Sequence, residues 1–463
     1  RRNKKGRKMK KAIKLRHGLI TMGAVIAIMF VSIVIFEASP HVPLVFSCFV
    51  AGLMAIWLGF SWDEILDGAV ANITNCLEAV LILLLIGMLA GSWIASGTIS
   101  SMIYYGLKLV TAKNFLPVAM ILCSIVSLAI GSWGTVGTLG VALMGMGVAL
   151  DIPAPLVAGV IISGSYCGES ISPLSDVTNF SAAIVNEDLG KIIKKMVIPV
   201  AVSFAIALVG YTVVGFRYSH GDNSLVEKNI EELLGTLSGN FNISLILLIP
   251  LVVVMGCILA KVPAIPSMII GIFCGMIFAV VFQGFTPNEM LVYSYSGFVS
   301  DTGNAIVDDL LTNGGIVTMF STITLVILAM ALGGILQRTG LIQVTVSSLM
   351  ARAKSHLFLR LTTILTCIGF NTIVPDQYLG VSFPGQMYGE EFEKRNIRRE
   401  DLAATLLCGA VTTSPLIAWN TCGLYCFAIL GISPMKYGAF AFYCLALPIV
   451  GLLTVKYGER DAK

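Results

Sequence analysis

Residues 79–96 read Ala-Val-Leu-Ile-Leu-Leu-Leu-Ile-Gly-Met-Leu-Ala-Gly-Ser-Trp-Ile-Ala-Ser, with no Asp, Glu, Lys or Arg. A helix of about 20 such residues crosses a hydrocarbon core of ~30 Å. Gly18–Phe36, Met196–Phe216, Phe241–Ala260, Leu310–Gln337 and Tyr437–Val455 are also free of charge and of similar length. Of the 463 residues, 56% are hydrophobic and 12% charged, whereas a soluble domain carries roughly 25% charged residues. The reading is an all-α polytopic membrane protein. A β-barrel needs short alternating segments, which are absent, and the apolar content excludes disorder. The net charge of +4 comes from one tail and not from a basic face, which excludes a nucleic-acid partner.

The first run is too long for the apolar core of a cleavable signal peptide, and no small-residue cleavage site precedes Pro40. The eleven cysteines form no CxxC pair and lie mostly in apolar runs, so they read as small packers. Four histidines show no metal-ligand spacing, and no cofactor is expected.

Arg1–Arg16 holds ten Lys/Arg and no acid, which places this end in the cytoplasm. Arg217–Asn240, with His220, Asp222, Glu227, Glu231 and Glu232, suits the outside and divides the chain near its middle. The halves match. Leu89-Ala-Gly91 with Gly97-Thr-Ile99 resembles Leu332-Gly-Gly334 with Gly340-Leu-Ile342 at an offset of 243, and Ser172-Pro-Leu174 matches Ser414-Pro-Leu416 at 242. Ile130-Gly131 and Gly140-Val141 match Ile368-Gly369 and Gly380-Val381 at offsets of 238 and 240.

Spans fall at about 18–36, 41–60, 79–96, 152–186 and 196–216, then at 241–260, 262–283, 315–337, 402–435 and 437–455. Five per half is odd, so the second copy must be inverted, a hallmark of secondary transporters. Both tails then lie in the cytoplasm. The expected organisation is a basic tail 1–17, a first repeat 18–216, an external linker 217–240, a second repeat 241–456 and a tail 457–463. Lys191, Lys194, Lys195, Lys261, Arg338, Arg352, Lys354, Arg395, Arg398 and Arg399 fall inside, with Lys108, Lys113 and Lys436 as exceptions.

Asn114–Leu150 is too long for one uncharged crossing and tight for two. It and its counterpart at about 357–389, interrupted by Asn371, Pro375, Asp376 and Gln377, read as re-entrant hairpins entering from opposite sides, with Asn371 and Thr372 as neutral binding candidates. Non-helical backbone at that depth is tolerated only where it is buried or lines a cavity. Segments 98–113 and 340–355 are expected along the interface. Acidic 63–78 and 289–309 read mainly as solvated connectors.

The densest polar run is Ser163-Gly-Ser-Tyr-Cys-Gly-Glu169-Ser-Ile-Ser172-Pro-Leu-Ser175-Asp176-Val-Thr178-Asn179. Pro173 breaks helix hydrogen bonding, and the freed backbone groups suit a cation or an anion. Ser172, Ser175, Thr178 and Asn179 add neutral oxygens of the kind Na⁺ favours. A charge at the bilayer centre costs about 2.5–3.5 kcal/mol, so Glu169 and Asp176 are the ion-coupling candidates. Burial favours a protonated carboxyl and a bound cation favours the ionised one, so one group can serve H⁺ and Na⁺ in turn. The inverted counterpart runs from Gly409 to Thr421, with a break at Pro415 and neutral groups on Thr413, Ser414 and Asn420. Its charge sits in the hairpin, as Asp376. The first hairpin tip offers Ser132 and Thr135. Trp133 and Trp419 suit packing or substrate contact equally.

Ser-Pro-Leu-Ser-Asp-Val-Thr-Asn at 172–179, Pro375-Asp-Gln-Tyr378 with Phe383-Pro-Gly385, and Ser414-Pro-Leu-Ile-Ala-Trp-Asn-Thr-Cys-Gly423 resemble signature stretches of the NhaC family. The resemblance covers nearly the whole chain. It implies two inverted repeats, each with a re-entrant hairpin and a broken helix, in a cytoplasmic-membrane protein of a kind often dimeric. It implies Na⁺/H⁺ antiport, or exchange of small organic acids, and favours Asp176, Asn179, Asp376 and Asn420, with Asp176, Asn179 and Asn420 as Na⁺ ligands. Two departures stand out. Gly168-Glu169-Ser170 keeps an acid of a Gly-Asp-Lys-like element but loses its base, and Leu407-Cys408 replaces an acidic pair.

The expected function is secondary active exchange of Na⁺ for H⁺ by alternating access. The alternative is Na⁺-coupled exchange or symport of a small organic acid or amino acid. An intramembrane enzyme would need a nucleophile–base pair or metal motif, and no HExxH or GxSxG occurs.

Overall fold

The computed structural model describes residues 11–36, 38–75, 77–173, 175–217, 223–260, 262–341, 344, 355–373 and 376–454. Outside the described residues lie tail positions 1–10 and 457–463, His220, Asp222, Lys261, Pro375, Arg352, Lys354 and most of 340–355. The same holds for the side chains of Glu78, Asp176, Glu227 and Asp309.

Apolar continuity builds helices throughout, and the described residues contain one isolated bridge, Phe298 to Asn313, and no named strand. α1 (Leu15–Phe30) runs into a π-turn, followed by α2 (His41–Trp57), α3 (Trp62–Asn75) and α4 (Leu77–Ala95). Gly97 takes φ 77°, and the chain bends by 67° into α5 (Thr98–Leu109). Next come α6 (Ala112–Thr135), a π-turn, α7 (Val141–Ala149), α8 (Ala154–Glu169), α9 (Asp176–Val185) and the 29-residue α10 (Leu189–Arg217).

The second half holds α11 (Asn223–Asn240), α12 (Ile249–Leu259), α13 (Ala264–Phe278), α14 (Pro287–Ser296), α15 (Ala305–Leu311) and α16 (Ile316–Arg338). It ends with α17 (His356–Ile373), α18 (Gln377–Lys394), α19 (Arg399–Ala410), α20 (Thr421–Leu430), α21 (Pro434–Tyr437) and α22 (Phe442–Thr454). Six described helices are long and apolar enough to cross a membrane, or ten if each of four bent pairs is one span. Large apolar side chains face outward on these spans: Ile198, Val209 and Val213 on α10, and Phe273 and Ile277 on α13, are each more than half exposed. Acyl chains cover such a surface at no hydrophobic cost. α8, by contrast, is buried from Leu156 to Glu169.

Both halves contain a hairpin. Gly131 leaves the helix with φ 70° and ψ 177°, a conformation cheap only for glycine. The chain then returns, because a methyl group on Gly147 would stand 3.0 Å from Phe115 near the start of α6. In the second half Thr366 and Tyr388 hydroxyls meet at 2.9 Å and Phe370 stacks on Phe383 at 5.4 Å, so α17 and α18 are antiparallel arms.

Each hairpin carries a broken helix. α8 rides parallel to α6, with Gly164 against Cys123 and Gly168 against Ser127. α19 rides on α17 in the same way, with Gly409 against Cys367 and Asn371 bonded to the Ala410 carbonyl. The two units enter from opposite ends of α10. Lys195, near its start, meets Asp401 at the start of α19, while Gly215, near its end, abuts the Lys113 carbonyl at the start of α6. At ~1.5 Å per residue α10 is long enough to separate two membrane faces.

Several stretches differ from the sequence reading. Acidic 63–78, read mainly as a solvated connector, is largely α3, with Ile65, Ala69 and Asn72 buried and Asn72 Nδ2 donating to the Met330 carbonyl at 2.9 Å. The linker at 217–240 contains α11, a helix from Asn223. The last span is shorter than 437–455. Pro434, with the Ser433 hydroxyl capping the Met435 N–H, starts α21 and a 3₁₀ turn, and α22 follows after a 60° bend.

Candidate functional site

The first break spans the residues between Glu169 and Asp176. Pro173 has no N–H, and the backbone between α8 and α9 is stitched by side chains instead. Thr178 Oγ1 donates to the carbonyls of Ser172 at 2.7 Å and Ser175 at 3.0 Å. Asn179 Nδ2 donates to the carbonyls of Pro173 at 2.9 Å and Ser175 at 2.7 Å. Ser172 Oγ donates to the Leu128 carbonyl of α6 at 2.6 Å, and Ser175 caps α9. Thr178 and Asn179 thus orient a set of carbonyl oxygens. Ser172, Ser175 and Thr178 are buried, whereas Pro173 and Asn179 are exposed.

Glu169 closes α8 and is 3% exposed. A methyl group on Gly131 would stand 3.9 Å from its Oε1, so the carboxyl borders the first hairpin tip. Tyr166, Cys422, Cys426 and Cys444 lie around it. Asp176 is the first residue of α9, on the far side of the break. At the tip, Thr135 Oγ1 donates to the Gly131 carbonyl at 2.8 Å. Ser132 Oγ is buried without a hydrogen-bond partner among the described residues.

The second break is one network. Asn371 Nδ2 donates to the Ala410 carbonyl at 2.6 Å and to Thr413 Oγ1 at 2.9 Å. Asn420 Nδ2 donates to the Asn371 carbonyl at 3.0 Å, and its Oδ1 accepts the Cys422 N–H at the start of α20. Trp419 Nε1 donates to the Thr372 carbonyl at 2.7 Å. Pro415 lies in a 3₁₀ turn beyond the end of α19. Asp376, 7% exposed, caps α18 by accepting the Leu379 N–H at 2.9 Å. Asp376, Ser175 and Asn420 are therefore all N-caps, where side-chain oxygens satisfy orphan amides.

The arms cross between halves. α8 and α19 pack on their own hairpins, but α9 packs against α18 and α19 of the other half. Phe180 meets the Tyr378 ring edge-to-face at 5.5 Å, and Ile184 fills the space over Gly385. Reciprocally, Tyr425 of α20 stacks on Trp133 at the first hairpin tip.

The profile of the Na⁺/H⁺ antiporter family matches residues 9–216 and 166–458. The chain belongs to the Na⁺/H⁺ antiporter family. It is 34% identical to the malate-2H⁺/Na⁺-lactate antiporter of Bacillus subtilis, over 95% of this chain and 94% of that protein. It is 30% identical to the Na⁺/H⁺ antiporter NhaC of Alkalihalophilus pseudofirmus, over 96% of each. It is 32% identical to the arginine/ornithine antiporter ArcD of Halobacterium salinarum, over 93% and 90%.

In this antiporter family member, the sequence reading assigned no binding role to two residues that are central here, Gln377 and Cys422. Gln377 Oε1 accepts from both Ser414 Oγ and Cys422 Sγ at 3.1 Å. Cys422 is thus a hydrogen-bonding thiol at the junction of the second break and the second hairpin, not only a packer. Its position two residues after Asn420 in the last motif was the available signal.

Proposed function

We propose that this chain exchanges Na⁺ for H⁺ by alternating access, with a buried carboxylate shared between the two ions. The observation that carries the reading is Glu169, buried at the end of α8 beside the Gly131 tip, with Asp176 opening the next arm. A carboxyl at such a place is costly unless it has work to do. Asp176 is the shared group in this reading. The Ser172, Pro173 and Ser175 carbonyls, held by Thr178 and Asn179, complete a cation shell with Asn420. Glu169 and Asp376 are the further proton-coupling groups, and Ser132, Thr135, Asn371, Thr372, Thr413 and Ser414 line the path. The basic tail favours a cytoplasmic membrane with both termini inside.

A second reading, Na⁺-coupled movement of a small organic acid or amino acid, is favoured by Ser132. Its buried hydroxyl begins the helical arm after Gly131, and helix N-termini receive carboxylates. Relatives named for malate, lactate, arginine and ornithine point the same way.

The test is flux in proteoliposomes against a panel of cations and organic acids. Asp176→Asn should lose Na⁺-dependent exchange while remaining folded. Exchange at the wild-type level in that variant would count directly against the assignment. A change in Na⁺-driven proton flux on adding an organic acid selects the second reading.

A further inference from the structure

Asp401 is completely buried in the first turn of α19, and its carboxylate meets Lys195 Nζ at 2.7 Å. Lys195 lies in the second turn of α10, so the pair joins residues of opposite halves. Its neighbour Arg399 makes a second link. Arg399 Nη1 donates to the Asn186 carbonyl at 3.3 Å, and Nη2 pairs with Glu393 at 2.8 Å. Asn186 is the C-cap of α9, held in the left-handed region with φ 51°. The start of α19 therefore grips the α9–α10 corner at two points.

Among the described residues, the inverted counterpart of this grip has a different character. At the 242-residue offset the counterpart of Asp401 is Gly159. There a methyl group would stand 2.7 Å from the Phe440 backbone, and the contact carries no charge. Close backbone packing joins the halves at that end, and an ion pair joins them at the other.

We propose that Lys195 and Asp401 are positioning residues for cation coupling, acting through α9. This rests on the reading of Asp176 as the coupling carboxylate. α9 is ten residues long, about 15 Å of rigid rod at ~1.5 Å per residue. Its far end is Asn186 and its near end is Asp176. Its sides lie on α18 and α19, two residues from Asp376 at the Phe180–Tyr378 contact. Fixing the corner fixes where the helix start at Asp176 stands relative to Asp376. Loosening the corner lets the arm shift without unfolding it.

The test uses the full chain in proteoliposomes, with Lys195→Gln, Asp401→Asn and the exchanged pair Lys195→Asp/Asp401→Lys. Half-saturation for Na⁺ and maximal rate are read separately, alongside Na⁺-induced thermal stabilisation in detergent. Each single variant should raise the Na⁺ half-saturation by about fivefold or more, and the exchanged pair should recover most of that loss. Lys195 is partly exposed, so Lys195→Gln supplies the break if Asp401→Asn does not fold. Unchanged half-saturation in Lys195→Gln overturns the proposal. So does an exchanged pair no better than the singles, because a nonspecific structural defect would not be repaired by reversing both charges. Asp176→Asn is measured in parallel. If it retains exchange while the exchanged pair still restores Na⁺ affinity, the reading of Asp176 fails and the corner remains a positioning element for another group.

Discussion

The indole of Trp133 lies flat on the phenol of Tyr425, with ring centroids 4.4 Å apart and planes 6° apart, and the Tyr425 hydroxyl donates to the Trp133 carbonyl at 2.5 Å. One ring stands at the tip of the first hairpin and the other on the second arm of the second broken helix. The stack is thus a junction between halves, matched on the other side by Phe180 and Tyr378.

Removing only the hydrogen bond separates its share from the stack. Tyr425→Phe should cost about 1 kcal/mol, and Tyr425→Ala about 3–5 kcal/mol as a large-to-small core change. Thermal melting in detergent reads both. An alanine variant as stable as the wild type would show that the junction holds nothing together.

Glycine on the broken helices sets how closely they approach their hairpins. A Cβ at Gly164 would stand 2.5 Å from Cys123 Cβ, whereas one at Gly369 meets nothing within 4 Å. Gly164→Ala should destabilise by about 1–3 kcal/mol through overpacking. Gly369→Ala should be neutral or stabilising by about 0.5–1 kcal/mol, since helical glycine is entropically costly. Equal melting shifts in the two variants would contradict the contact geometry.

Thr178→Ala takes the hydroxyl away from the Ser172 and Ser175 carbonyls, the second of which keeps its bond from Asn179, and Asn420→Ala removes the amide donor to the Asn371 carbonyl and the cap of α20. Both should weaken apparent Na⁺ affinity more than maximal rate. Initial rates across a Na⁺ series decide it, and an unchanged half-saturation in both removes these residues from the cation shell.

Glu187, at the α9–α10 corner, is held below the usual carboxylate range by the Asp188 backbone N–H, then by Lys191 and the more distant Arg399. A lowered folded value stabilises above the unfolded value and is lost as pH falls through the folded one. Its contribution is therefore complete and constant from about pH 6 to about pH 9. Glu187→Gln should leave the shape of the exchange pH profile unchanged there, and its stability difference from the wild type should vanish in strong acid. A shifted profile near neutrality would make Glu187 a titrating group after all.

Much of the candidate site's backbone geometry was legible because its determinants are local. Pro173 and Pro415 lack an N–H wherever they occur, and Gly131 marks the hairpin tip because its backbone conformation excludes other residues. Serine, threonine and asparagine beside such breaks find the freed backbone groups. That is why Thr178, Asn179 and Asn420 stood out beside the two breaks, and Asn371 in the second hairpin. Their work as stitches and caps was not visible, since a hydroxyl reads the same whether it faces an ion or a carbonyl.

The chain by itself determined that it spans a membrane, that it is doubled, and where each copy is interrupted. Charge is expensive in hydrocarbon, and an odd number of spans inverts a repeat, so both follow from order along the chain. Only the tertiary structure decided that α9 lies on the opposite half, that Lys195 meets Asp401, and that Cys422 meets Gln377. The first two contacts join residues far apart in sequence, and each depends on how helices of one shared apolar alphabet cross. Packing in three dimensions selects those crossings.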